Sequence, residues 1–252
     1  MSFTVVIPAR FGSSRLPGKP LLEIGGLAMI QRVWQQAKKS DAQRVIIATD
    51  DQRIYSHAES FGAEVCLTDS EHPSGTDRLQ QVVSMMAFEQ DQIVVNVQGD
   101  EPLIPPAVIN QVAANLQQHR DASIATLCEP IDSVEVLMDP NAVKVVADER
   151  GRALYFSRAP IPWPREQFSA VDKTMPAGQH WFRHIGIYAY RCGFLQRYIT
   201  WSPAPLEQLE QLEQLRALYH GEIIHVSTAC ENVPAGVDTP ADLARLQALF
   251  KE

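Results

Sequence analysis

The sequence predicts an α/β fold: a mostly parallel sheet with helices on both faces, and a smaller β-rich insertion. Three observations carry this. Short apolar runs alternate with helical patterns through the first hundred residues or so. The runs are apolar throughout rather than on alternate positions, as strands buried on both faces must be. An aromatic-rich, proline-rich middle then interrupts the alternation before helix and strand patterns return.

The elements follow in order. FTVVI is a β-branched strand, and AMIQRVWQQAKK places Met29, Ile30, Val33, Trp34 and Ala37 at helical spacing. RVIIATD is a second strand, and QRIYSHAESFG is a helix closed by Gly62. EVCLT, a helix around DRLQQVVSMMAF, the strand in QIVVNVQGDEP and the helix PAVINQVAANLQQH complete the first part. AVKVVADERGRALYFSR predicts two strands joined by a turn at Arg150 and Gly151, and FRHIGIYAYR predicts another strand. Between them APIPWPREQFSAVDKTMPAGQ, with four prolines, reads as a long loop. Residues 125–190 are therefore expected to form a subsidiary β-rich insertion in an otherwise single domain, residues 1–252. PLEQLEQLEQLRALYHG predicts one helix ending at Gly221. Its leucines recur every third residue and drift around a 3.6-residue helix, as do Glu207, Glu210 and Glu213, so at least one of these acids is expected to face something other than bulk water.

Composition bounds the function. The chain has 252 residues, 45% hydrophobic and 21% charged, with a formal net charge of -8. Nucleic-acid binders need a wide basic surface, so this balance argues against one, while a local basic site for a small anion remains compatible. No charged leader precedes an apolar run, and none approaches the roughly 20 residues that span a bilayer. Cys66, Cys128, Cys192 and Cys230 form no CxxC pair and read as reduced thiols of a cytoplasmic protein.

Ligands of parallel sheets collect at the carboxyl ends of strands. The loop IPARFGSSRLPGKPL follows the first strand and crowds Arg10, Arg15 and Lys19 among Gly12, Gly18, Ser13 and Ser14. Like charges repel, so an anion among them is the sensible occupant; arginine forks and a lysine point charge suit phosphate oxygens. The loop is neither a Walker A sequence nor a GxGxxG loop. In NVQGDEP, Asp100 follows a strand and a glycine. In GVDTPADL, Pro240 fits the first helical position, Thr239 the N-cap and Asp242 the third, which leaves Asp238 without a capping role. Acids so placed are equally turn acids or magnesium ligands on pattern alone, since magnesium takes one or two carboxylates plus phosphate oxygens and water.

IPARFGSSRLPGKPL, HPSGTDRL, VNVQGDEP, PNAVKVV, ALYFSRAPIPW, RHIGIYAYR, LEQLEQLR and GVDTPADL, in this order over nearly the whole chain, resemble the CMP-Kdo synthetases, the 3-deoxy-manno-octulosonate (Kdo) cytidylyltransferases. RLPGKP occurs across many nucleotidyltransferases; the ordered set is far more specific. The resemblance implies a nucleotide-diphospho-sugar transferase fold, a homodimer built through the β-rich insertion, and activation of Kdo by CTP for lipopolysaccharide assembly. It implies that Ala9, Arg10, Arg15 and Lys19 bind CTP phosphates and nearby nucleotide atoms, with Ser74, Gly75, Arg78 and Gln98 beside the cytidine. Asp100 and Asp238 would hold Mg2+, and with Lys19 they would form the catalytic set. Arg158, His184, Tyr188, Glu213 and Gln214 would contact the sugar acid. On pattern alone Arg158 ends a strand, and His184 and Tyr188 share one strand face as core or interface residues.

The expected reaction is an in-line attack of the sugar's anomeric hydroxyl on the α-phosphorus of CTP, driven by positioning and charge neutralisation. Rival readings are a cytidylyltransferase for sialic acid or an amino-substituted Kdo, a glycosyltransferase on a similar sheet, and a nucleotide sensor. The glycosyltransferase calls for a DxD motif where GDEP stands, and the sensor would not need both acids.

Overall fold

The computed structural model describes residues 2–12, 16–72, 74–169, 174–178 and 180–250. In chain order the elements are β1 (Phe3–Ala9), β2 (Glu23–Ile24), β3 (Leu27–Ala28), α1 (Met29–Ala37), β4 (Arg44–Thr49), α2 (Gln52–Ser60), β5 (Glu64–Leu67), α3 (Gly75–Met85), β6 (Ile93–Asn96) and α4 (Pro106–Gln118). They continue as β7 (Ile124–Pro130), α5 (Val134–Met138), β8 (Lys144–Ala147), β9 (Ala153–Ser157), β10 (Phe182–Arg191), α6 (Cys192–Tyr198), α7 (Pro205–Glu210), α8 (Gln214–Tyr219), β11 (Ile224–Thr228) and α9 (Pro240–Leu249).

The central sheet runs β11-β7-β10-β6-β1-β4-β5. β1 is parallel to β4 and β6, β4 to β5, and β7 to β11, whereas β10 is antiparallel to β6 and β7. Side chains alternate across it. Phe3, Val5, Ile7 and Ala9 join one core cluster and Val6 joins the other. The first cluster is completed by Ile30 and Val33 of α1, Ile54 of α2 and Val108 and Val112 of α4. The second takes Leu79 and Val82 of α3, Phe194 of α6 and Leu215 of α8. Helices therefore cover both faces, as the apolar strands require.

Two features depart from the sequence reading. The segment expected as an insertion gives its flanking strands, β7 and β10, to the central sheet, and only the β8–β9 hairpin extends from β10. The helix expected over residues 205–221 is broken: Gln211 adopts the left-handed conformation, φ 53° and ψ 49°, between α7 and α8. The drift of the leucines explains the break. A continuous helix would carry them off the core, and the turn at Gln211 resets the phase so that Leu212 and Leu215 are buried while Leu206 and Leu209 are exposed. All three glutamates find partners: Glu207 the Arg216 guanidinium, Glu210 Ser157 and the Arg158 amide, and Glu213 Thr76.

Cys66, Cys128 and Cys192 are buried, Cys230 is exposed, and all four are free. Among the described residues no helix is long and apolar enough to cross a membrane.

Candidate active site

The carboxyl ends of β1, β4 and β6 meet at one edge of the sheet. Gly99 allows this: a Cβ there would lie 2.7 Å from the carbonyl oxygen of Pro8, so only glycine lets the turn after β6 press against the end of β1. The result is a cavity of about 360 Å³, lined by Ala9 and Arg10 after β1, Lys19, Ser74 and Gly75 at the start of α3, Arg78, Gln98 and Asp100 after β6, Glu213, and Asp238.

A single cation ties the acids together. The Lys19 ammonium donates to Asp100 Oδ2 at 2.6 Å, to Asp238 Oδ1 at 3.1 Å and to the carbonyl of Val237 at 2.9 Å. Asp238 can serve here because α9 is capped without it. Thr239 accepts from the Asp242 amide and the Asp242 carboxylate reaches back to the Thr239 amide, the capping box read from the sequence. Arg78, only 4% exposed, is fixed by an ion pair to Asp50 at 2.6 Å and a hydrogen bond to Thr68. Ser74 is the N-cap of α3, its hydroxyl accepting from the Asp77 amide, and it holds that helix N-terminus at the cavity wall.

A second cavity, about 270 Å³, shares Gly75, Gln98 and Glu213 with the first. Its floor is the sheet: Asn96 of β6 lies directly opposite Tyr188 of β10, and Tyr190 opposite Ile124 of β7. Thr76 of α3, Phe194 and Tyr198 of α6, and Gln211, Glu213 and Gln214 form its walls. Burial holds the Glu213 carboxyl above the usual carboxylate range, opposed by the Thr76 hydroxyl that donates to it at 2.9 Å. Burial also pushes the Tyr188 phenol well above its ordinary value.

The structure thus brings Ala9, Arg10, Lys19, Ser74, Gly75, Arg78, Gln98, Asp100 and Asp238 to the first cavity, and Tyr188, Glu213 and Gln214 to the second. Arg15 lies outside the described residues. Arg158 and His184, expected at the sugar, line neither cavity. The Arg158 guanidinium donates to the carbonyls of Glu210 at 2.7 Å and Pro140 at 3.0 Å and reaches that of Gln211 at 3.5 Å. The fully buried Lys144 holds the carbonyl of Arg158 at 2.6 Å. His184 sits behind Tyr188, ring centroids 5.2 Å apart, with Nε2 2.9 Å from Thr126 Oγ1. Burial holds its proton affinity down to about 3, so the imidazole is neutral. Sequence reading missed Asn96, Thr76, Tyr190 and Tyr198, whose one available signal was an asparagine closing the apolar run IVVN. Glu101, next to Asp100 and lining neither cavity, has its carboxyl raised to about 8 by burial and by neighbouring Asp100.

Known proteins resemble this chain over most or nearly all of its length. The cytidylyltransferase family profile matches residues 4–224. A 3-deoxy-manno-octulosonate cytidylyltransferase of Chromohalobacter salexigens is 61% identical over 248 residues, 98% of this chain and 96% of the relative. One of Pseudomonas syringae pv. syringae is 58% identical over 250 residues, 99% of this chain and 98% of the relative. A solved structure of CMP:2-keto-3-deoxy-manno-octonic acid synthetase complexed with CTP matches with TM-score 0.88 at 42% identity, covering 99% of this chain and 98% of the other. A cytidylyltransferase of Leptospira borgpetersenii serovar Hardjo-bovis, 16% identical, shares the fold with TM-score 0.63 over 99% of this chain and 86% of the other. With nearly full-length identity of this order, the chain belongs to the cytidylyltransferase family, among the 3-deoxy-manno-octulosonate cytidylyltransferases.

Proposed function

We propose that the protein joins CTP to 3-deoxy-manno-octulosonate, giving CMP-Kdo and pyrophosphate, with CTP in the first cavity and the sugar acid reaching into the second. The observation that carries this reading is the meeting of the two cavities at Gly75, Gln98 and Glu213, one lined by Arg10, Lys19 and Arg78, the other by hydroxyls, amides and aromatic rings. Arg10, Arg15 and Lys19 would neutralise the triphosphate, and Ser74, Gly75, Arg78 and Gln98 would hold the nucleoside. Arg15 is assigned from sequence alone.

Asp100 and Asp238 fit a magnesium site. They supply hard oxygen donors, and both already face one cation, the Lys19 ammonium. Among the described residues no third His, Cys, Asp or Glu joins them, which suits an ion that completes its shell with phosphate oxygens and water. Bound magnesium would supply charge neutralisation on the phosphates and orientation of the reacting oxygens. The protein's own residues hold the two substrates in line, and the anomeric oxygen displaces pyrophosphate without a covalent enzyme intermediate. Tyr188, Glu213 and Gln214 face the sugar. Arg158 would take its carboxylate by exchanging the carbonyls of Glu210 and Gln211 for that fork, and His184 backs Tyr188.

The same reading places the protein in the cytoplasm, in lipopolysaccharide synthesis, as a homodimer. Exposed Leu154 and Trp163, 62% and 52% accessible in and just beyond the β8–β9 hairpin, support the last. Pyrophosphate release from CTP, ATP, GTP or UTP, with magnesium and Kdo, amino-substituted Kdo or sialic acid, tests the assignment. Release is expected with CTP and Kdo. Equal turnover with UTP would remove the base assignment, and preference for another sugar acid would remove the acceptor.

A further inference from the structure

We propose that Asn96 is a specificity-determining residue which, together with Gln214, reads one hydroxyl on the polyol part of the sugar acid. The inference rests on the reading of the second cavity as the sugar site. Asn96 closes β6 after Ile93, Val94 and Val95, all buried, and is itself 3% exposed. An amide among such neighbours is costly unless it is used. Its Oδ1 is buried and, among the described residues, accepts no hydrogen bond; the Nε2 of Gln214, whose residue is 9% exposed, donates none. Both residues line the second cavity.

One unpaired acceptor and one unpaired donor define the ligand's chemistry. A hydroxyl satisfies both at once, donating to Oδ1 and accepting from Nε2. An ammonium group only donates and would leave Nε2 unpaired; a carboxylate only accepts and would leave Oδ1 unpaired. No described residue lining this cavity is basic, so it suits a neutral polyol segment rather than the sugar carboxylate or a phosphate. Tyr188, Tyr190, Phe194 and Tyr198 surround the amides with rings, where a missing partner is felt most strongly. A site that hydrogen-bonds a hydroxyl discriminates against the analogue without it, because its own buried groups are then stranded.

The test uses pyrophosphate release from CTP with Kdo and with analogues in which each hydroxyl in turn is replaced by hydrogen. One analogue is expected to lose about 10- to 100-fold in kcat/KM on the wild-type enzyme. Asn96→Ala should lose a similar factor with Kdo, should lose little more with that one analogue, and should leave the KM for CTP within about threefold. A uniform penalty from Asn96→Ala across all analogues, or an equal rise in the KM for CTP, overturns the proposal. Should Asn96→Ala not fold, Gln214→Leu makes the same comparison from the donor side. The wild-type series stands without either variant, and a flat series overturns the proposal while leaving cytidylyl transfer intact. Absence of wild-type turnover with Kdo itself overturns the functional reading, and this proposal with it.

Discussion

Lys19 Nζ lies 2.6 Å from Asp100 Oδ2 and also 3.1 Å from Asp238 Oδ1, so one ammonium holds together two carboxylates from distant parts of the chain. Removing it leaves two like charges facing each other across a partly buried site. Lys19→Met is therefore expected to lower the melting temperature without magnesium by about 2–4 °C for each ~1 kcal/mol lost. Magnesium should then raise it more than in the wild type, because the ion takes over the neutralisation. Equal responses to magnesium in the two proteins would show that the acids do not share an ion.

Glu207 of α7 and Arg216 of α8 form a largely buried ion pair. Their closest approach is 2.5 Å, their side chains are 9% and 13% exposed, and Glu207 also accepts from the Ala204 amide at 2.9 Å. Breaking such a pair strands the remaining charge, so Glu207→Ala is expected to cost about 3–5 kcal/mol in urea unfolding. The pair joins α7 to α8 across Gln211, so sugar turnover should fall with stability. A loss below about 1 kcal/mol would mean that solvent screens the pair more than its burial indicates.

The alternation of apolar strands and helices was legible because strands buried on both faces can hardly be anything but apolar. Asp100 and Asp238 were legible for a local reason: one follows a strand and a glycine, and the other precedes a helix already capped by Thr239 and Asp242. The placement of antiparallel β10 between β6 and β7 was not legible, since period-two patterning marks a strand without naming its neighbours. The break at Gln211 was foreshadowed by the leucine drift, yet its position depends on contacts with Ser157 and Arg158 far away in sequence. Arg158 and His184 were marked for the sugar by family motifs alone, since nothing in their local pattern distinguishes a ligand from a strand residue; in the structure Arg158 donates to the carbonyls of Glu210 and Pro140, and His184 Nε2 lies 2.9 Å from Thr126 Oγ1.

His225 predicts an acid-sensitive fold. Its ring stacks on His119 at 3.7 Å between centroids. Burial, aided by His119 and opposed by Asp121, holds its proton affinity down to about 4. An unfolded histidine titrates near 6.5, so below that pH the unfolded chain binds a proton that the folded one refuses. The contribution of His225 should be level above about pH 6.5 and fall by roughly 1–2 kcal/mol as pH drops to about 5. His184, held down to about 3, adds a fall of its own over the same window, so His225→Gln should reduce the fall in urea titrations at the two pH values without abolishing it; an equal fall in both proteins would place the acid sensitivity elsewhere.

The sharing of one magnesium by Asp100 and Asp238 is tested most directly by the turnover of Asp100→Asn, Asp238→Asn and the double variant, at saturating CTP and Kdo, across a magnesium titration. If the two carboxylates hold one magnesium, each single change should lower turnover by at least about 100-fold, while CTP binding and melting temperature change little. Ligands of one ion act as a unit, so the double variant should lose much less than the product of the single losses. Near-normal turnover of Asp238→Asn at limiting magnesium, or losses that multiply independently, would contradict a shared magnesium.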